Sequence, residues 1–492
     1  MEKASTEGGP VLVFSSLIFV FLFFVSNIIT QALVTDMKKK NIVMLSFSLV
    51  FYAWAGIRYV PLLLGMTFIC WFSALLISRR RSERARKSAL AACVVLVLLI
   101  LGIFKYTGFF LKNVQLLTGF PKVIPEIVLP IGISFYTFQL LSYVIDVYRG
   151  DTEVQEKYWL LLLYASLFHQ CIAGPIVRYR DVNQDILCRK VKRTEMSRGI
   201  TRFTVGLAKK AVLANGCAAV VRDVFGIAVD EELTAAIVQG TPVTGMWLVM
   251  LAYTLFIYLD FSAYSDMAIG MGLMCGFHYK ENFNYPYIAD SVTEFWRRWH
   301  ISLSTFFRDY VYIPLGGNRC SKGRHIFNLF VVWGLTGMWH GASWNYILWG
   351  LYYFVFLVIE KYLVDTGRIP KALRHGLTLL IVGFGWILFR FDGSGQLGPA
   401  VKGLFGLNGN AFGALSVHLV FRNNLLFLLF CCLAATPLAK TLGNMLRNLS
   451  QRSSAWLTAY GIWDAALPVL LLVLAMMSLA GNQYNPFIYF QF

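Results

Sequence analysis

Residues 326–359, IFNLFVVWGLTGMWHGASWNYILWGLYYFVFLVI, decide the fold class, because they contain no Asp, Glu, Lys or Arg. About 20 consecutive apolar residues are enough for a helix to cross the hydrocarbon core of a bilayer. Similar runs recur along the 492 residues, for example at 11–34, and the chain is 57% hydrophobic and only 14% charged. The sequence therefore predicts an all-α polytopic membrane protein and excludes a soluble enzyme, a disordered chain and a coiled coil.

The positions of the basic residues also indicate a membrane protein. The chain has 44 Lys and Arg against 26 Asp and Glu, a formal net charge of +18. They cluster in short loops between apolar runs, as in the cytoplasmic loops of membrane proteins, so we expect contact with membrane lipids and no nucleic-acid partner. The clusters at 38–40 and 79–87 lie on one side of the membrane if 41–55 and 60–78 form a hairpin. This orientation predicts an extracytoplasmic N-terminus.

No repeat of fixed period and no low-complexity linker divides the chain, so we expect one domain over residues 1–492 with about eleven to thirteen helices. The basic stretch 178–202 has spaced apolar residues and predicts a cytoplasmic, partly interfacial amphipathic segment. None of the nine cysteines forms a CxxC pair, and no metalloprotease or nucleotide-binding motif stands in a supporting context. We therefore expect no metal site and no tightly bound cofactor.

His340 is the histidine within the uncharged run that opens this section. Ionisable side chains at membrane depth are costly and are often functional. An imidazole there can act as a general base, taking the proton of an attacking hydroxyl during acyl transfer. The alternative is a core histidine hydrogen-bonded to a backbone carbonyl, and composition alone favours neither reading.

His300 is a second candidate, within DSVTEFWRRWHISLSTFFRDYVYIPLGGNR at residues 290–319. Helical spacing would place His300 above Ser304 on one polar face. Arg297 and Arg298 suit the phosphate groups of a thioester carrier. The alternative, which this motif alone favours, is an ordinary interfacial helix with aromatic and positive-inside residues.

The remaining polar residues are weaker candidates. Five histidines fall at segment ends or in loops, where solvated or capping roles are commoner: His169, His278, His325, His375 and His418. Three aspartates are expected to fix helices or line a polar funnel: Asp146, Asp260 and Asp266. The last helix should end near Gly481, before the uncharged tail NQYNPFIYFQF at 482–492. Such a tail spans up to ~35 Å and is long enough to fold back into a cavity on the outer face; the alternative is a frayed end in the membrane interface.

Five long motifs between residues 105 and 350 resemble the membrane-bound O-acyltransferase (MBOAT) superfamily. The similarity is to the branch with the bacterial alginate O-acetylation membrane subunit and the D-alanyl transfer protein of teichoic acid modification. The motifs are LPIGISFYTFQ (129–139), AGPIVRYRD (173–181), DFSAYSDMAIG (260–270), NFNYPYIADSVTEFWRRWHISLSTFFRDYVYIPLGGNR (282–319) and GMWHGASWNYILWG (337–350). The resemblance implies a ring of tilted helices whose cytoplasmic and outer funnels meet at the active histidine. It places the family's catalytic histidine at His340 and its second histidine at His300.

The resemblance also implies an activity. A chain of this branch moves an acyl group, here expected to be acetyl, from a cytoplasmic thioester across the bacterial inner membrane. The donor is acetyl-CoA or an acyl carrier protein thioester, and the expected partner is an exported or membrane-anchored acyltransferase acting on an extracytoplasmic polysaccharide such as alginate. The expected substrate-binding residues are Trp339, Trp296, Arg297, Arg298 and Asp266.

The tail motif FIYFQF at 487–492 resembles the C-terminal motif of this branch, which implies that Tyr489 receives the acyl group as a phenolic ester on the outer face. A Tyr hydroxyl beside a basic imidazole is an activated nucleophile, and an uncharged tail enters a low-dielectric funnel at little desolvation cost. Two readings compete with an enzyme: a transporter or lipid flippase, and a scaffold that only recruits the exported acyltransferase.

Overall fold

The computed structural model describes residues 14–172, 174–227, 233–391, 395–451 and 453–481, and this part of the chain contains helices and no strands. The first half contains α1 (Ile18–Leu33), α2 (Met37–Gly56), α3 (Val60–Arg79), α4 (Glu83–Thr118), α5 (Ile133–Arg149), α6 (Tyr158–Ser166), α7 (Phe168–Cys171), α8 (Tyr179–Cys188) and α9 (Arg193–Phe225). The second half contains α10 (Ala235–Gly240), α11 (Val243–Cys275), α12 (Val292–Arg298), α13 (Ile301–Phe307), α14 (Lys322–His340), α15 (Trp344–Tyr362), α16 (Lys371–Arg390), α17 (Leu397–Leu404), α18 (Leu415–Ala434), α19 (Leu438–Ser450) and α20 (Ser454–Gly481).

Seven helical stretches in the described residues are long and apolar enough to cross a membrane. They are Met37–Arg79, which joins α2 and α3 through a short 3-10 turn, together with α4, α9, α11, α16, α18 and α20. The expected number of eleven to thirteen helices stays a prediction, since α1, α5, α14 and α15 are shorter or less apolar than these stretches. The predicted all-α polytopic membrane protein is confirmed, and the orientation of its termini stays a prediction.

The centre of the molecule is the contact between α9 and α11. Glycines allow the two backbones to touch: a Cβ added at Gly270 would lie 2.6 Å from the backbone nitrogen of Phe203, and one at Gly206 would lie 2.7 Å from the carbonyl oxygen of Ala263. Small residues let helices approach closely in this way within membranes. As a result α11 is buried along nearly all its length, whereas α20 lies almost entirely on the outside of the molecule.

Ion pairs reinforce this contact. Lys210 lies in a π-helical stretch of α9, and its ammonium is 2.7 Å from the Asp260 carboxylate of α11, with both side chains fully buried. Asp266 binds Arg202 at 2.7 Å and Lys209 at 2.6 Å. Both aspartates therefore join α9 to α11.

Residues 193–202 form the first turns of α9. Gly199 lets the backbone there meet α11, and Asp266 pairs with Arg202, while most other side chains of these turns are exposed or half-buried. The predicted amphipathic segment 178–202 therefore runs into a long helix, and its position at the membrane interface stays a prediction.

Candidate active site

His340 is the last residue of α14, and its position is set by the crossing of α14 and α15. The crossing is too close for side chains: a Cβ at Gly350 would overlap the carbonyl oxygen of Trp333, and one at Gly337 would overlap that of Tyr346. Beyond the helix, Gly341 has an extended backbone that turns the chain towards α15. The His340 side chain is thereby held inside the molecule, with only 4% of its surface exposed.

Aromatic rings surround the His340 imidazole. The ring centroids of Trp339 and Trp349 both lie 4.9 Å from it, and that of Phe389 lies 5.3 Å away. All three contacts are edge-on, the geometry that aromatic quadrupoles favour. The imidazole therefore lies in surroundings of low polarity, where electrostatic interactions with a reacting group are strong.

His300 lies at a break between α12 and α13, so the motif is not one continuous helix, and its predicted helical spacing to Ser304 holds for the backbone. Its φ of 43° is left-handed, and the Ser304 N–H donates to the His300 carbonyl at 3.1 Å as part of the first turn of α13. The break turns the imidazole inward, leaving it 1% exposed, with its centroid 5.8 Å from that of Trp339. The rings of both candidate histidines thus contact the same indole.

Hydrogen bonds hold the His300 ring. Its Nδ1 lies 3.2 Å from Oδ1 of Asn282, a fully buried residue of the loop between α11 and α12. The same oxygen accepts hydrogen bonds from the backbone N–H and the hydroxyl of Ser302, at 3.1 and 2.8 Å. Asn282 received no role from the sequence, although it begins the longest family motif.

Lys105 of α4 completes the group and was also missed. Its ammonium donates hydrogen bonds to the backbone carbonyl of Trp339 and, at 3.2 Å, to the hydroxyl of Ser134 in α5. It also lies 5.7 Å from the centre of the Trp339 ring. The residue is buried, and no ion pair to it occurs in the described part of the chain. A charge within the otherwise uncharged stretch 88–111 of α4 was the available signal, since such residues are expensive in membranes.

The predicted substrate-binding residues divide into two groups. Trp339 and Trp296 are buried, and Trp296 packs edge-on against Trp333 at 4.8 Å and Trp349 at 5.4 Å, so it supports the aromatic wall around His340. The three charged residues lie apart from the imidazoles: Asp266 pairs with α9 as described, Arg297 is exposed, and Arg298 binds Glu294 at 2.7 Å.

The ion pair between Glu294 and Arg298 affects how much positive charge Arg298 can offer to a ligand. Burial alone would raise the pKa of the Glu294 carboxyl, but hydrogen bonds from the Asp290 N–H and the Arg298 guanidinium outweigh this effect and hold the pKa below its ordinary value. Arg298 is thus partly neutralised, and Arg297 is the more available cation for a phosphate.

Two other histidines differ from the expected solvated or capping roles. His169 is fully buried, with Nδ1 2.5 Å from the Tyr279 hydroxyl. His325 lies between the hydroxyls of Tyr362 and Tyr312, at 2.5 and 2.7 Å. Tyrosines from distant segments satisfy both rings, which sequence position alone does not reveal.

The other predicted positions agree with the sequence or fall outside the description. His278 and His418 are exposed, and His375 lies 2.9 Å from the carbonyl of Ala289. Asp146 is buried and accepts a hydrogen bond from the Tyr310 hydroxyl at 2.7 Å. Tyr489 and the tail 482–492 lie outside the described residues.

The arrangement suits proton transfer during acyl transfer. Two imidazoles on one indole provide groups that can take up a proton from an attacking hydroxyl. A buried ammonium beside them favours negative charge that develops on a tetrahedral intermediate. Nothing in this chemistry requires a metal ion.

Comparison with known proteins gives the same class of chemistry. The model of the membrane-bound O-acyltransferase family matches residues 160–391, which include both candidate histidines. The probable alginate O-acetylase AlgI of Pseudomonas aeruginosa is 35% identical over 538 residues, covering 98% of this chain and 100% of its own length.

More distant relatives act on cell-wall polymers. The peptidoglycan O-acetyltransferase of Helicobacter pylori is 33% identical over 439 residues, covering 81% of each chain. The teichoic acid D-alanyltransferase of Bacillus subtilis is 26% identical over 275 residues, covering 53% of this chain and 67% of its own. Because a relative that is 35% identical covers nearly the whole of this chain, the protein belongs to the membrane-bound O-acyltransferase family and is an O-acyltransferase.

Proposed function

We propose that this O-acyltransferase takes an acetyl group from a cytoplasmic thioester and passes it across the bacterial inner membrane for O-acetylation of an extracytoplasmic polysaccharide such as alginate. The names of two of these relatives, probable alginate O-acetylase and peptidoglycan O-acetyltransferase, support acetyl as the group transferred. The observation that carries the proposal is the contact of the buried His300 and His340 rings with Trp339.

In the proposed reaction His340 is the general base. It takes the proton of the acceptor hydroxyl as the oxygen attacks the thioester carbonyl carbon. The new C–O bond forms a tetrahedral intermediate, the C–S bond then breaks, and the proton passes to the departing sulfur to give a free thiol. The charge of Lys105 stabilises the negative oxygen of the intermediate, and the aromatic wall excludes water that would hydrolyse the thioester.

The donor is acetyl-CoA or an acetylated acyl carrier protein. Both carry phosphate groups, and exposed basic residues occur at the end of α12, just before α14 and in the first turn of α14: Arg297, Arg319, Lys322 and Arg324. Guanidinium groups bind phosphate through paired, charge-assisted hydrogen bonds. These residues are proposed to form the cytoplasmic docking rim.

The proposed first acceptor is the Tyr489 hydroxyl. The tail motif at 487–492 supports this role, because an uncharged segment can enter an apolar funnel and present a phenol to an imidazole. An exported or membrane-anchored acyltransferase would then collect the acetyl group from the outer face and transfer it to the polymer.

One experiment tests the chemistry. The purified protein is incubated with isotopically labelled acetyl-CoA, or with labelled acetyl-acyl carrier protein, and the C-terminal peptide is weighed by mass spectrometry. We expect one acetyl group on Tyr489, absent in His340→Ala and present in His418→Ala, which changes an exposed histidine. Acetyl transfer that is unaffected by deletion of 487–492 would refute the tail's role, and transfer that survives His340→Ala would refute the general base.

A further inference from the structure

The amide of Asn282 is fixed in one orientation by its neighbours. The backbone N–H of Ser302 is always a donor, and it lies 3.1 Å from Oδ1 of Asn282. Nδ2 of the same amide donates to the Ser265 hydroxyl at 3.1 Å. Turning the amide over would place two N–H donors face to face, so the atom that faces His300 is the oxygen.

A carbonyl oxygen accepts hydrogen bonds and has no proton to give. Nδ1 of His300, 3.2 Å from this oxygen, must therefore carry a proton, because two lone pairs at that distance would repel each other. The Ser302 hydroxyl does not provide another solution: it is 3.4 Å from Nδ1, whereas it lies 2.8 Å from the Asn282 oxygen, to which it donates.

We infer that Asn282 is a positioning residue that holds His300 as the Nδ1–H tautomer, so that Nε2 carries the lone pair within the active site. The inference rests on the proposed acyl transfer, in which His340 is the base, and it adds a role for His300: its Nε2 accepts a hydrogen bond from a substrate donor beside that base. The hydrogen bond made by one ring nitrogen of a histidine commonly sets the state of the other.

The surroundings of Nε2 are consistent with a hydrogen-bond acceptor that is unpaired in the absence of substrate. In the described residues Nε2 is buried and has no hydrogen-bond partner, and the ring faces Trp339 rather than solvent. An unpaired buried acceptor is destabilising and is retained where function needs it. The group that it fits is a hydroxyl or N–H donor brought by the substrates.

The tautomer is read directly by NMR of protein with 15N-labelled histidine, in which the His300 signals are identified by their loss in His300→Gln. We expect a protonated Nδ1 and an unprotonated Nε2. Protonation at Nε2 and a bare Nδ1 in the unmodified protein would overturn the inference. This readout needs no turnover, so it stands apart from the proposed reaction: if the tautomer is as inferred but His340→Ala transfers acetyl at the normal rate, the proposed function is at fault.

Variants test the positioning role in turnover. Asn282→Leu removes the acceptor and is expected to lower kcat for acetyl transfer ~100-fold with little change in KM, a typical loss for proton transfer. Asn282→Asp keeps an acceptor oxygen towards Nδ1 and is expected to retain kcat within ~10-fold. If Asn282→Leu does not fold, the kcat of Asn282→Asp tests the positioning role. The matched control is Asn284→Leu, at an exposed side chain two residues away. Normal kcat in Asn282→Leu, or a loss in Asn282→Asp as large as that in Asn282→Leu, would overturn the inference.

Discussion

The ammonium of Lys105 in α4 donates a hydrogen bond to the backbone carbonyl of Trp339 in α14, across 234 positions of sequence. That carbonyl belongs to the last turn of α14, where helix carbonyls lack partners within the helix and attract cations. The next residue is His340. One buried lysine therefore both caps the helix that carries the candidate base and places a positive charge beside it.

Lys105→Met should impair acetyl transfer strongly. The substitution keeps an apolar side chain of similar length but leaves the Trp339 carbonyl unpaired and removes the charge. We expect kcat to fall at least ~10-fold, on the scale of one lost electrostatic contact to a transition state. Acetyl incorporation from labelled donor is the measurement, and Lys112→Met, at an exposed position of the same helix, is the control. Wild-type kcat in Lys105→Met would mean that the charge has no part in the reaction.

Gly350→Ala should disturb the α14–α15 crossing. The new methyl group would overlap the carbonyl oxygen of Trp333, so the helices must separate and His340 must move. Overpacking of this kind costs ~1–3 kcal/mol, which should appear as a lower thermal unfolding temperature together with reduced acetyl transfer. Gly334→Ala on α14 is the control, because nothing lies within 4 Å of a Cβ there. Equal behaviour of the two variants would show that the crossing is not tight.

The Lys210–Asp260 pair should respond differently to single and double substitution. Asp260→Leu leaves a fully buried ammonium without its partner 2.7 Å away and should destabilise the protein by ~3–5 kcal/mol. Adding Lys210→Met removes the stranded charge and should recover most of that loss. Thermal unfolding of the three proteins in one detergent measures both effects. A double variant less stable than Asp260→Leu would contradict a direct pairing.

Asp309, outside the membrane-spanning helices, should make stability depend on acidic pH. Burial tends to raise the pKa of its carboxyl, but hydrogen bonds from Arg308 and Arg178, at 2.7 and 2.8 Å, outweigh burial and lower the pKa. A lowered pKa means that the ion pairs stabilise the fold above the unfolded pKa, about 4, and that this contribution is lost as pH falls through the folded pKa.

The difference in unfolding temperature between the unmodified protein and Asp309→Asn should therefore be largest near neutral pH. It should shrink as the pH falls below about 4. A difference that grows on acidification would show the opposite sign of the shift.

The sequence predicted both histidines of this site but not the hydrogen bonds that hold its residues together. His340 and His300 were selected from the residues and the family motifs, and their rings do contact one indole. The break at His300 was not predicted, because periodicity assumes a continuous helix, whereas the chain has a left-handed residue there. Lys105 and Asn282 were passed over because neither has a partner nearby in sequence.

What the sequence determined by itself is the class of architecture. The free energy of transferring an apolar side chain from water to lipid depends mainly on the apolar area of that side chain and little on its neighbours in the fold. Apolar runs such as 326–359 therefore specify membrane helices locally. Only the tertiary structure decided which polar atoms meet. The hydrogen bonds of Lys105 and Asn282 act over about 3 Å and depend on direction, so they exist only after distant helices have packed.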